Sequence, residues 1–155
     1  MANDTIQLVL PNGATRDVPL GTLGREVVAS IGPGLLKAAI AVAVDGAVQD
    51  LMTPIRKGGA FVVLKESDPR SLDVLRHSGA HILATAVRRL RPDAKIGFGP
   101  SIEDGFYYDF EVEKPFTPED LEAFEAEMVK VAAEKLPFVR DEISKPEGER
   151  RFVDD

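Results

Sequence analysis

Apolar residues follow two different rhythms along this chain, and the change falls near residue 69. Thr5-Ile-Gln-Leu-Val-Leu10 and Ala14-Thr-Arg-Asp-Val-Pro-Leu20 are short alternating runs on either side of Asn12-Gly13. That pattern predicts a hairpin with a tight turn. Thr22 is placed to cap a helix running through Glu26, Val27 and Val28 to about Ile31, stopped by Gly32-Pro33-Gly34. Counted from Thr22, Glu26 lies one residue beyond capping-box spacing, so the cap is expected to rest on the threonine alone. Strand-like runs then recur at Ile40–Val44, from Val48 after an Asp45-Gly46 turn, and at Phe61–Leu64.

Past the polar break Lys65-Glu-Ser-Asp-Pro69 the period becomes helical. Between Arg70 and Arg91, the apolar positions Leu72, Leu75, Leu83, Val87 and Leu90, with small Gly79 and Ala86, fall on one stripe. That stripe is expected to pack on a core, with the helix ending near Arg91-Pro92. Gly97, Gly99-Pro100 and an Asp104-Gly105 hairpin signal follow. Phe106, Tyr108 and Phe110 then alternate with Tyr107, Asp109 and Glu111, which predicts a half-buried strand. Core packing explains Phe106 and Phe110, while the Tyr108 hydroxyl is also free to serve a site. Thr117-Pro-Glu-Asp120 opens another helix, with Thr as cap, Pro first and acids in the first turn. Its expected buried stripe is Leu121, Phe124, Met128, Val131 and Leu136; its acidic run reads as a solvated face, and Lys130 and Lys135 suit the helix dipole. Beyond Asp141 the chain turns polar and shows no recognisable closing element, so the second unit reads as incomplete.

These patterns predict an α+β protein of two units. Residues 1–66 make a small β-grasp (ubiquitin-like) unit, a mixed sheet wrapped over one helix; residues 70–155 make a separate α+β unit. The first holds no histidine, cysteine or clustered carboxylates, and Gly58-Gly59 lacks the lysine and following helix of a phosphate-binding loop. It is expected to bind or position something.

With 155 residues there is room for one ordinary domain or two small ones. No apolar run approaches a membrane span, the N-terminus has no charged-then-apolar signal segment, and the chain has no cysteine. A cytoplasmic setting with no membrane partner is the expectation. Net charge is −7, unevenly placed: residues 1–65 carry six Lys/Arg against five Asp/Glu, and residues 66–155 thirteen against twenty-one. Within the acidic half, Arg70, Arg76, Arg88, Arg89, Arg91 and Lys95 make residues 70–95 locally basic, a composition suited to a phosphate backbone or to a solvated helix face. The acidic total excludes a general polyanion binder.

His77 and His81 are the only histidines, four apart in Arg76-His-Ser-Gly-Ala-His81. On a helix they share one face, and they project roughly opposite the leucine stripe. They are placed to converge on one metal, one water or one phosphate-bearing substrate; two unrelated surface histidines are the alternative. Ser78 follows His77, so the glutamate base of a His-Glu-x-x-His metalloprotease helix is absent.

Together these features resemble the N-terminal region of bacterial threonyl-tRNA synthetases. Leu10-Pro-Asn-Gly13, Ile31-Gly-Pro-Gly-Leu35 and Val44-Asp-Gly46 resemble their TGS module, and alone leave three protein classes open. Arg76-His-Ser-Gly-Ala-His81 followed by Gly99-Pro-Ser-Ile-Glu-Asp-Gly-Phe-Tyr-Tyr-Asp-Phe110 resembles the start of their proofreading domain. Gly79 stands where a small residue or cysteine is often seen, and Gly97-Phe98 varies the usual run. The resemblance implies a site that hydrolyses serine wrongly esterified to threonine tRNA, with His77 and His81 catalytic and Gly99 and Tyr108 lining it. It implies no cofactor within these residues, the histidine pair being a possible but uncertain metal site. ATP with magnesium, and zinc, are implied for a synthetic domain, and a homodimer for the parent. The family site also draws on a lysine and a cysteine–histidine motif not found among these 155 residues, so the chain is expected to be a fragment with little deacylase activity of its own. A stand-alone tRNA- or partner-binding module without hydrolysis is the other reading.

Overall fold

The computed structural model describes residues 4–137, 139 and 141–153. β1 (Thr5–Val9) and β2 (Thr15–Pro19) pair antiparallel, with Val9 opposite Thr15. Asn12 Oδ1 accepts from the Ala14 amide at 3.1 Å, and Gly13 adopts φ +81°, which closes the five-residue loop as the Asn-Gly signal predicted. β3 (Ala39–Val44) and β4 (Ala47–Gln49) turn on Asp45 and Gly46, both at positive φ, the backbone of the mirror-image hairpin turn. β5 (Gly59–Lys65) runs parallel to β1 and antiparallel to β3, so the sheet order is β2-β1-β5-β3-β4. This is the expected β-grasp.

The helix start differs from the sequence reading. α1 (Gly24–Ile31) takes Leu23, not Thr22, as its N-cap residue. Glu26 then stands three residues on, and its Oε2 accepts from the Leu23 amide at 2.9 Å, while Thr22 Oγ1 donates to the Pro19 carbonyl at 2.7 Å. Nor does Gly32-Pro33-Gly34 end helical structure. Pro33 opens a second short helix, α2 (Pro33–Ala38), at the position where its missing amide costs nothing.

Alternation along β3 sorts the sheet's two faces. Val42 and Val44 join Leu8, Val27, Val28, Ile55 and Phe61 in one core, while Ala41 and Ala43 join Leu64 on the other side. Val74, from the early turns of α3 (Pro69–Leu90), packs against that second face. By packing, the chain divides into Met1–Leu75 and Arg76–Asp155, so the division falls within α3 rather than at the polar Lys65–Pro69 break.

In the second unit, β6 (Lys95–Ile96) pairs antiparallel with β9 (Phe110–Glu111), and β7 (Ser101–Ile102) pairs with β8 (Gly105–Phe106) across Glu103-Asp104. The predicted strand after Gly105 keeps its alternation of burial through Phe106, Tyr108 and Phe110, but its ladder breaks over Tyr107–Asp109. There the Asp109 backbone bonds to Gly97 and Phe98 instead, each at 2.9 Å. Val87, Ala94 and Phe124 form the core, with Leu83, Phe110, Val112 and Phe116 around it.

Both predicted helix stripes are corrected. On α3 the buried positions after the first turn are Ala80, Ala84, Ala86 and Val87, whereas Leu72, Leu75 and Leu90 are exposed. Small side chains let neighbouring segments approach the helix closely, and burial follows that approach rather than side-chain size. On α4 (Pro118–Glu134), Phe124, Glu127 and Val131 are buried, while Leu121 and Leu136 are exposed. The acidic run is therefore not wholly a solvated face. Glu127 turns inward, accepting from Lys130 Nζ at 2.8 Å and Arg89 Nη1 at 3.2 Å, and these bonds, the lysine's first, hold its carboxyl below the usual carboxylate range. The Thr117 cap is as read: Thr117 Oγ1 accepts from the Asp120 amide and Asp120 Oδ2 from the Thr117 amide.

A short helix, where none was expected, follows Asp141. α5 (Lys145–Arg151) buries nothing and is laced by ion pairs from Glu147 to Arg150 and Arg151, so it carries no apolar period from which to read it. Asp154 and Asp155 lie outside the described residues.

Candidate functional site

α3 places His77 and His81 one turn apart, and the two rings meet edge to face with centroids 4.6 Å apart at 90°. Their Nε2 atoms are 3.0 Å apart, which makes this a hydrogen bond between imidazoles. One ring must present Nε2–H and the other a bare Nε2 lone pair, so the tautomers are coupled. Two Nε2–H groups cannot face each other at that distance. Both residues are exposed, flanking the buried Ala80–Ala84–Val87 line rather than lying opposite it.

His81 also lines a cleft of ≈ 330 Å³, together with Ile82 and Thr85 of α3 and Val131, Lys135 and Leu136 from the end of α4. Thr85 Oγ1 donates to the His81 carbonyl at 2.9 Å. Partial desolvation of the otherwise exposed ring, and secondarily the neighbouring His77, hold the His81 pKa below histidine's usual 6.5. A neutral imidazole at neutral pH is able to accept a proton from water.

This shift has a sign that can be tested. The unfolded chain binds a proton at His81 more readily than the folded one, so acidification below 6.5 favours unfolding. The stability present above 6.5 is lost as pH falls toward the lower folded pKa. The His81 ring resonances are expected to titrate below 6.5. The melting temperature should also fall more for the natural chain than for His81→Gln as the pH drops from 6.5. Identical melting profiles would remove His81 from the account.

Gly99 and Tyr108 are brought together by the β6–β9 region. A Cβ on Gly99 would lie 2.1 Å from Tyr108 Cδ2, so only glycine permits this approach. Tyr108 stacks on Phe110 at 5.0 Å. Gly79, between the two histidines in sequence, meets Phe106, whose Cε1 would be 3.1 Å from an added Cβ. The basic stretch around the histidines is largely neutralised. Arg70 pairs with Asp68, Arg89 with Glu127 and Glu134, Arg91 with Asp93, and Lys95 with Glu111.

Two imidazoles fall short of the three or four ligands of a zinc site. Among the described residues no group of three or more His, Cys, Asp or Glu comes together. The histidine pair alone therefore does not fit a zinc ion. Gly58 and Gly59 are explained by packing: a Cβ on the first would lie 2.5 Å from the Gln7 carbonyl oxygen, and on the second 2.3 Å from Asp45 Oδ1. Among the described residues no helix is long and apolar enough to cross a membrane.

Sequence reasoning missed the cleft itself. Thr85, four residues after His81, was visible at helical spacing. Lys135 was not, because only tertiary packing carries the end of α4 to α3.

Residues 6–63 match the TGS domain family. Over 149 residues, 96% of its length, the chain is 46% identical to a threonine–tRNA ligase of Anoxybacillus flavithermus and 45% identical to one of Geobacillus kaustophilus, covering 23% of each. Over 152 residues, 98% of its length, it is 41% identical to threonine–tRNA ligase 1 of Bacillus subtilis, covering 24% of that protein. The chain thus spans about a quarter of the length of these curated relatives.

Proposed function

We propose, for a chain that corresponds to the N-terminal region of the bacterial threonyl-tRNA synthetases and carries their TGS domain, that it helps bind threonine tRNA and remove serine wrongly attached to it. In this reading residues 1–66 are the tRNA-positioning module, and residues 70–155 the beginning of the proofreading domain. The whole enzyme would use ATP with magnesium, and zinc, for charging in parts outside this sequence, and would act in the cytoplasm as a homodimer.

The observation that carries the reading is the 3.0 Å contact between His77 Nε2 and His81 Nε2 beside an open cleft. Serine lacks one methyl of threonine, a difference worth only about 1–3 kcal/mol in a binding pocket. Selection at the charging step is therefore weak, and a second pocket that hydrolyses the smaller product makes up the deficit. The ring that donates its Nε2–H to the other keeps an unprotonated Nδ1, which takes a proton from water as the water oxygen bonds to the ester carbonyl carbon. The carbon–oxygen bond to the ribose then breaks, and the proton held by the imidazolium passes to the ribose oxygen, which leaves as an alcohol. The second imidazole fixes the tautomer of the first. Gly99 allows the Tyr108 ring to sit close, and Tyr108 would contact the substrate.

The test removes these residues from a threonine–tRNA ligase of which they form the N-terminal region. The truncated enzyme is expected to charge tRNA with threonine yet fail to release serine from seryl-tRNA. Unchanged serine release by the truncated enzyme would overturn the reading.

A further inference from the structure

We infer that Lys135 is the phosphate contact of the cleft beside His81, holding the RNA backbone whose terminal ester faces the imidazoles; this rests on the proofreading reading above. Lys135 ends α4 in the left-handed conformation, at φ 52° and ψ 39°. Glycine or asparagine is the ordinary occupant of such a position, because a longer side chain's Cβ crowds the following carbonyl. Here the sequence places a long cation in an unfavourable backbone conformation. An outlier of that kind, at the mouth of a cleft, calls for a functional account.

The surroundings supply one. Lys135 lines the cleft with His81 and Thr85, against walls that are otherwise apolar: Ile82, Val131 and Leu136. Arg89, Arg91, Lys95 and Lys130 of the same unit each meet a carboxylate. Lys135 is matched with none among the described residues. An unmatched ammonium and an imidazole around an apolar cleft complement a nucleotide end. Its phosphate meets the lysine, its ribose and base lie on the apolar wall, and its ester approaches the histidines. A lysine there only to complement the negative end of the α4 dipole would account for the charge, but not for its place in the cleft.

Lys135→Gly separates the two roles, because it deletes the charge and suits the left-handed backbone. The measurement is tRNA binding to the 155-residue chain over a series of salt concentrations, with a melting curve for each variant. For the loss of one single-stranded phosphate contact, the slope of log affinity against log salt should shrink by about 0.7. Binding at low salt should weaken several-fold, Lys135→Arg should restore both, and the melting temperature of Lys135→Gly should hold or rise. An unchanged slope in Lys135→Gly, with the natural chain binding tRNA, overturns the role of Lys135 and leaves the proofreading reading standing. An equal loss in Lys145→Gln, on the exposed α5, reduces the effect to net charge and also overturns it. No binding of tRNA by the natural chain overturns this inference together with the reading it rests on.

Discussion

His77→Ala and His81→Ala, each made in a ligase carrying this sequence at its N-terminus, are expected to let seryl-tRNA accumulate while threonine charging continues. Losing a positioned general base or its orienting partner typically slows a step by about 10²–10⁴-fold, and serine release is expected to fall within that range. The two rings share one hydrogen bond, so they act as a unit, and the double variant should be little worse than either single one. Both side chains are exposed, so each substitution should change stability by no more than about 0.5 kcal/mol. A purely structural pair would behave differently, with charging, proofreading and melting temperature declining together. The decisive measurements are serine release, threonine charging and a melting curve on the same protein. Undiminished serine release in both variants would sink the catalytic assignment.

Phe61→Ala should give the largest stability change in the first unit, a loss of about 3–5 kcal/mol. Phe61 has no exposed surface, and it lies on β5, hydrogen-bonded between β1 and β3 and opposite Val44. It belongs to the buried cluster with Leu8, Val27, Val28 and Ile55, and is the largest side chain in it. Neighbouring segments cannot fully close over the void left by an aromatic ring, so the cavity adds to the lost transfer energy. Small domains are held by only about 5–15 kcal/mol, so this one change removes a large share of the total. Denaturant titration followed by circular dichroism measures it. The half-buried neighbour Val62, cut to alanine, serves as a control expected to cost much less. A Phe61→Ala loss no larger than the control would mean that the core is not organised around this ring.

The β-grasp was legible because its signals are local. Asn12-Gly13 and Asp45-Gly46 specify their own turns, and the alternation in β3 reports two buried faces. Errors arose where a particular partner, near or far in sequence, decided the outcome rather than the apolar pattern. Leu23 gives no sign of being a cap residue; the Glu26 carboxylate makes it one. Ala80 and Ala84 look unremarkable beside Leu72 and Leu75, yet close approach buries the alanines and leaves the leucines in solvent. Glu127 is one acid among many until Arg89, thirty-eight residues away, draws it inward. The helix Lys145–Arg151 escaped notice for the opposite reason, since charges alone support it. Of the candidate site, the histidine contact followed from spacing four on a helix. The Gly99–Tyr108 contact rested on family resemblance, since no local rule brings those two residues together.

The parallel pairing of β1 with β5 has a consequence for the order of events during synthesis. Leu8 and Val9 lie opposite Gly59 and Ala60, so β1 has a neighbour that leaves the ribosome some fifty residues later. At about 5–20 residues per second, that delay lasts several seconds, far longer than the microseconds a hairpin needs to form. The β1–β2 hairpin must therefore wait with one edge unpaired and Leu8 uncovered. Any factor that shields nascent apolar surface has its clearest opening in that interval, and the interval ends only when β5 arrives.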